Sequence, residues 1–120
     1  MGVKRVVILG STGSIGMNAL KVIARFPDKF KVVGLTAYNN VDLLARQIKS
    51  FAPVFAAASP QNVAILKKRF GRSKTQICNV EEDVESLVCR ADIDCVVIAM
   101  RGSAALKPFL SAVRAGKTIA

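Results

Sequence analysis

Seven consecutive residues, Gly10-Ser11-Thr12-Gly13-Ser14-Ile15-Gly16, have the types and spacing of a phosphate-wrapping loop. Gly10 permits a sharp turn out of whatever precedes it. Gly13 lets the backbone approach an anion without an intervening Cβ. Gly16 allows a following helix to lie close against its neighbours. The start of such a helix would point unpaired N–H groups and a partial positive charge at the anion. Ser11, Thr12 and Ser14 add hydroxyl donors, and Ile15 stands among them. A pyrophosphate is the ligand this set fits, provided that a strand precedes the loop and a helix follows it.

The flanking sequence meets that condition. Arg5 to Leu9 is a β-branched apolar run closed by Gly10. Ile15, Ala19, Val22, Ile23 and Phe26 recur at helical intervals, and Pro27 ends the helix they predict. The same alternation continues at intervals of about 20 to 25 residues, as in βα units. Lys31–Leu35 reads as a second strand and Val54–Ala58 as a third, with a helix carrying Val41, Leu44, Ala45 and Ile48 between them. Ser59-Pro60 predicts a helix start and Gly71 its end. Thr75–Cys78 reads as a fourth strand. Asn79 with Glu82 resembles a capping box for a helix carrying Val84, Leu87 and Val88. Asp94–Met100 is a buried strand, and Leu106, Phe109, Leu110 and Val113 form a last helical stripe before Gly116. Strands apolar on both faces predict a parallel sheet with helices on either side, an α/β, Rossmann-type doubly wound fold. Lys117 to Ala120 reads as a sixth strand cut near its start, so residues 1–120 are expected to be the front portion of a longer protein.

The second strand ends in Leu35-Thr36-Ala37-Tyr38-Asn39-Asn40, without an acid. An Asp or Glu there would bind the 2′-hydroxyl of NAD. Here a 2′-phosphate meets no negative charge, and the Asn39 and Asn40 amides can donate to it, so NADPH is the expected cofactor. Asn40 can also cap the next helix, and the two tasks are compatible. Tyr38 has two readings, a platform for adenine or a cover for a surface edge. Arg101, after the fifth strand, either faces a phosphate or stands in solvent.

Composition narrows the remaining classes. The chain has 120 residues, 52% of them apolar and 22% charged, the balance of an ordinary globular domain. Its longest apolar run is the six residues Cys95–Met100, against about 20 for a membrane-spanning helix. Eighteen basic and eight acidic residues give a net charge of +10, which favours anionic partners. Lys67, Lys68, Arg69, Arg72 and Lys74 crowd one stretch, but only Phe70 lies there to stack on a base, so nucleotide is expected and nucleic acid is not. Three cysteines, Cys78, Cys89 and Cys95, leave one unpaired in any scheme, and there is no His. A reduced, cytoplasmic protein with no catalytic residue and no metal ligand in these 120 residues is expected. The acids Glu81, Glu82, Asp83 and Glu85 are explained by the positive end of a helix.

The opening Leu9-Gly10-Ser11-Thr12-Gly13-Ser14-Ile15-Gly16 resembles that of the 1-deoxy-D-xylulose 5-phosphate reductoisomerase family, as does the later Ala112-Val113-Arg114-Ala115-Gly116-Lys117-Thr118-Ile119-Ala120. The resemblance implies the NADPH-binding domain of an enzyme of methylerythritol phosphate isoprenoid synthesis. The family's enzyme isomerises and reduces a sugar phosphate with Mg²⁺ or Mn²⁺, held by residues beyond position 120. It implies a homodimer at full length, with no nucleic-acid or membrane partner. By position, Thr12, Gly13, Ser14 and Ile15 would contact the pyrophosphate, and Tyr38, Asn39 and Asn40 would surround the 2′-phosphate. The family often has Gly and a basic residue where Tyr38 and Asn39 stand, and Arg101 has no counterpart there. Two other readings share the Gly loop: a semialdehyde-dehydrogenase-like NADP reductase domain, and a non-catalytic nucleotide-sensing module.

Overall fold

Six parallel strands form one sheet in the order β4-β3-β2-β1-β5-β6. The structure, a computed structural model, describes residues 2–120, so Met1 of the expected domain lies outside the described residues. The strands are β1 (Lys4–Leu9), β2 (Phe30–Thr36), β3 (Phe55–Ala58), β4 (Gln76–Asn79), β5 (Cys95–Ile98) and β6 (Thr118–Ile119). The helices between them are α1 (Ser14–Arg25), α2 (Val41–Phe51), α3 (Pro60–Phe70), α4 (Val80–Val88) and α5 (Leu106–Arg114). This is the Rossmann-type topology that the alternation predicts. Among the described residues no helix is long and apolar enough to cross a membrane.

The chain steps outward from β1 through β2 and β3 to β4, then returns to β5 on the other side of β1. Right-handed crossovers place α1, α2 and α3 on one face. Leu20, Ile23, Leu44, Ile48 and Leu66 pack there against Val6, Ile8, Val32 and Leu35. On the opposite face Leu87 and Val88 of α4 and Ala112 of α5 pack against Val7, Leu9, Val33 and Val96. Fully burying each large aliphatic side chain contributes about 1.5–3 kcal/mol, which is what binds the two helix layers to the sheet.

Two expected helix faces are corrected. On α1 the buried residues are Gly16, Leu20 and Ile23, while Ile15, Val22 and Phe26 are exposed. On α5 they are Pro108 and Ala112, while Leu106, Phe109, Leu110 and Val113 are exposed. In both helices a small residue faces the sheet and permits close approach, and the bulky stripe lies to the side. The capping details also shift. Asn79 accepts from the Glu81 and Glu82 N–H groups, but its own N–H donates to Asp83 rather than Glu82. Ser59 makes no side-chain cap; its hydroxyl oxygen accepts from Asn62.

An ion pair that the sequence did not announce joins the amino ends of β1 and β5. The Arg5 guanidinium donates to both Asp94 carboxylate oxygens, each at 3.0 Å, and the Arg5 N–H donates to Asp94 at 2.9 Å. The guanidinium and that N–H hold the Asp94 carboxyl down at about 2. The three cysteines are free. Burial pushes the Cys78 and Cys95 thiols up, so both remain protonated core groups.

Candidate functional site

The carboxyl ends of β1 and β5 lie side by side where the chain reverses its order through the sheet. In open α/β sheets that crevice is where ligands sit. The glycine loop fills one wall of it. Gly10 turns with φ of +88°, and a Cβ there would lie 2.9 Å from the Ala99 carbonyl oxygen at the end of β5. A Cβ on Gly16 would lie 2.2 Å from the Gly10 carbonyl oxygen, so Gly16 is what lets α1 begin so close to β1. Gly13 differs. A Cβ there would meet its nearest atoms at 3.8 and 3.9 Å, ordinary contact, and its backbone is extended. The protein's own packing explains two glycines and leaves the third open to a ligand.

The first helical hydrogen bond of α1 runs from the Met17 N–H to the Gly13 carbonyl at 2.9 Å. The N–H groups of Ser14, Ile15 and Gly16 therefore have no acceptor among the described residues, and the first turn carries no acid. Ser14 is exposed and Thr12 half-buried, and neither hydroxyl has a protein partner among the described residues. These are the features of an anion site at a helix N-terminus.

Ser11 has a different task from the hydroxyl donation expected of it. It is fully buried, and its hydroxyl donates to the Gln47 side-chain carbonyl at 2.7 Å. The Gln47 amide donates back to the Ser11 carbonyl at 2.9 Å. The Ser11 N–H is also engaged, donating to Thr36 at 2.8 Å beside the Gly10 N–H at 3.0 Å. Ser11 thus anchors the loop to α2 and to the end of β2. Gln47 was missed from sequence, although it sits three residues after Leu44 on the buried stripe of α2. A polar residue on a buried stripe needs a partner, and that was the available signal.

Tyr38, Asn39 and Asn40 follow Thr36 out of β2 and are exposed. Asn40 caps α2, its side-chain oxygen accepting from the Leu43 N–H at 3.2 Å, which leaves its amide donors free. Asn62 of α3 braces the loop by donating to the Tyr38 carbonyl at 3.3 Å. Asp42 in the first turn of α2 pairs with Arg69 at 3.7 Å. The Tyr38 hydroxyl donates to Glu81 at the start of α4, and that bond raises the Tyr38 pKa above its ordinary value. A cleft of about 230 Å³ opens beside this pair, walled by Val80, Val84, Met100 and Pro108. None of residues 10–16 lines it, and Arg101 stands exposed in the loop after Met100.

The model of the family described as 1-deoxy-D-xylulose 5-phosphate reductoisomerase matches residues 6–120. The chain belongs to the 1-deoxy-D-xylulose 5-phosphate reductoisomerase family. A reductoisomerase of Buchnera aphidicola is 44% identical over 119 residues, covering 97% of this chain and 30% of the relative. The solved structure of a DOX-P reductoisomerase in complex with NADPH, fosmidomycin and magnesium superposes with a TM-score of 0.93 at 34% identity, covering 98% of this chain and 29% of that one. The Zymomonas mobilis reductoisomerase in complex with NADPH gives 0.87 at 33% identity, covering 99% and 32%. The chain thus spans about 30% of the length of the curated reductoisomerases it matches. Membership in the reductoisomerase family does not favour the semialdehyde-dehydrogenase-like or sensor readings.

Proposed function

We propose that residues 1–120 form the NADPH-binding domain of a 1-deoxy-D-xylulose 5-phosphate reductoisomerase. The full-length enzyme would isomerise and reduce 1-deoxy-D-xylulose 5-phosphate to 2-C-methyl-D-erythritol 4-phosphate in non-mevalonate isoprenoid synthesis, as a cytoplasmic homodimer. The observation that carries the reading is Gly13: its Cβ-free face is not required by the fold, and the three unpaired N–H groups of Ser14, Ile15 and Gly16 follow directly. The NADPH named with two of the structural relatives supports the choice of ligand.

Bound there, the cofactor would supply a hydride. This chain's part is to hold and orient it. The N–H groups at the start of α1, with the Thr12 and Ser14 hydroxyls, would take the pyrophosphate. Gly10 and Gly16 would hold that cradle in shape, and Ser11 would anchor it through Gln47. Asn39 and the free amide of Asn40 would donate to the 2′-phosphate, with Tyr38 beside the adenosine. The Mg²⁺ or Mn²⁺ ligands and the sugar-phosphate contacts are assigned to the rest of the enzyme's length.

The test is an NADPH titration of the wild-type chain and of Gly13→Asp, with folding checked by circular dichroism. Gly13→Asp places a carboxylate against the pyrophosphate, and binding should weaken by at least ~2 kcal/mol from lost charge-assisted hydrogen bonds. A folded variant with unchanged affinity would remove this loop from the site.

A further inference from the structure

Glu81 has no place in the phosphate contacts, yet the fold brings it from the far edge of the sheet to the end of β2. It lies in the first turn of α4, after β4, and its carboxylate accepts a hydrogen bond from the Tyr38 hydroxyl at the edge of the cleft. The cleft beside them is small. At about 230 Å³ it lies below the roughly 300–1,000 Å³ of whole-ligand pockets, the size for one ring system of a larger ligand. Val80, Val84, Met100 and Pro108 make its walls apolar. The polar character of the Tyr38–Glu81 side is one-signed. The phenol's single proton is committed to Glu81, and an ionised carboxylate only accepts, with lone pairs to spare after one bond.

We propose that Glu81, held in place by Tyr38, reads the base of the dinucleotide and selects a 6-amino purine over a 6-oxo purine. This rests on the NADPH-binding reading above and adds a specificity-determining residue to it. A flat heteroaromatic ring between the valines and Met100 would bring its edge to Glu81. An adenine edge presents the exocyclic amine, which donates to the carboxylate. A hypoxanthine or guanine edge presents a carbonyl oxygen there, which repels it and leaves the contact unmade. Sites built to bond a ligand N–H reject the analogue without it for this reason. Glu85 and Lys107 also line the cleft: the Glu85 carboxylate would favour the amine as Glu81 does, and the exposed Lys107 ammonium would favour a carbonyl, so the Glu81→Gln variant is what separates Glu81 from Glu85.

The experiment titrates the chain with NADPH and with its nicotinamide hypoxanthine analogue, in wild type, Glu81→Gln and Tyr38→Phe. Wild type should prefer NADPH by about tenfold, the scale of one net hydrogen bond to a charged group. In Glu81→Gln the preference should fall to within about twofold, because a carboxamide can accept from the amine or donate to the oxygen. Tyr38→Phe keeps the ring but frees Glu81, and its preference should fall between the two. Both side chains are exposed, so all three proteins should fold alike. The proposal is overturned if wild type binds both dinucleotides equally, if the analogue binds more tightly as reading by Lys107 requires, or if Glu81→Gln keeps the full preference. Each of those leaves NADPH binding itself intact, whereas failure of both dinucleotides to bind overturns the domain reading as well.

Discussion

Ser11 and Gln47 exchange two hydrogen bonds, hydroxyl to side-chain carbonyl at 2.7 Å and amide to backbone carbonyl at 2.9 Å, with both residues buried. Among the described residues this closed pair is the only side-chain tie between the glycine loop and α2, so the loop's shape depends on a helix residue 36 positions away. Gln47→Leu would keep the volume and strand the Ser11 hydroxyl and carbonyl in an apolar setting. The expected cost is ~1–3 kcal/mol, the penalty for leaving a buried polar group unsatisfied. Thermal unfolding should show a lowered midpoint and titration a weaker NADPH affinity. A variant as stable as wild type would mean the pair is dispensable.

Gly13 and Gly16 should separate binding from folding. Gly16→Ala forces a methyl to 2.2 Å from the Gly10 carbonyl oxygen, and α1 must move. Overpacking of this kind costs ~1–3 kcal/mol. Gly13→Ala meets nothing closer than 3.8 Å and should change stability by less than ~0.5 kcal/mol, yet weaken NADPH binding. Chemical denaturation of both variants, beside cofactor titration, checks the pair. If Gly13→Ala destabilises as much as Gly16→Ala, the glycine is structural.

The Arg5–Asp94 pair predicts a pH signature. The Asp94 carboxyl is held at about 2 in the folded chain, below its ordinary 3.8. Because the folded value is the lower one, the pair stabilises fully above a pH of about 4, and that contribution is lost as pH falls through about 2. With side chains 42% and 37% exposed, the effect is modest and weakened by salt. Asp94→Asn should therefore melt below wild type at pH 7, and the two curves should converge between about pH 4 and 2. A gap that persists undiminished at pH 2 would count against the assignment.

Cofactor preference should depend on salt. The β2 end carries free asparagine amides in a chain of net charge +10. NADPH should bind more tightly than NADH at low ionic strength. The margin should narrow as the Debye length shrinks from roughly 30 Å at 0.01 M to about 8 Å at 0.15 M. Equal affinities at low salt would contradict 2′-phosphate recognition at Asn39 and Asn40.

The topology was readable because the cues agree. Glycine or proline punctuates most of the units, Asn79 caps α4 where neither is present, and Val6, Val7, Ile8 and Leu9 are apolar without alternation, as a strand covered on both faces must be. The steric reasons for Gly10 and Gly16 are also legible, since they lie in local geometry. Helix faces were less legible. Periodicity identifies a stripe, but Gly16 and Ala112 win the sheet-facing positions through small size, which a search for bulky apolar residues passes over. Ser11 reads as a ligand donor because nothing local in the sequence reveals its partner Gln47 on another helix. Glu81 could not have been found at all: its neighbour Tyr38 lies 43 positions earlier, and only the return of α4 across the sheet joins them.

The irregularity between Val6 and Val7 sets the phase of the site. β2 pairs Val32 with Val6 and Gly34 with Val7, so Val33 is one residue more than the ladder counts. Side chains alternate with period two, and a single extra residue exchanges the faces of all that follow. Val32 and Leu35, three positions apart, accordingly share one core, while Val33 joins the other. Gly34 falls opposite Phe55, where a Cβ would lie 2.1 Å from the ring. Deleting Val33 would remove no chemistry and leave the remaining composition untouched. It would remove the extra count as well: Leu35 could stay opposite Ile8 with its face toward α2, and the second core would lose the Val33 side chain. One strand counts a residue that its neighbour does not, and strict alternation read along β2 alone would send Leu35 to the wrong core.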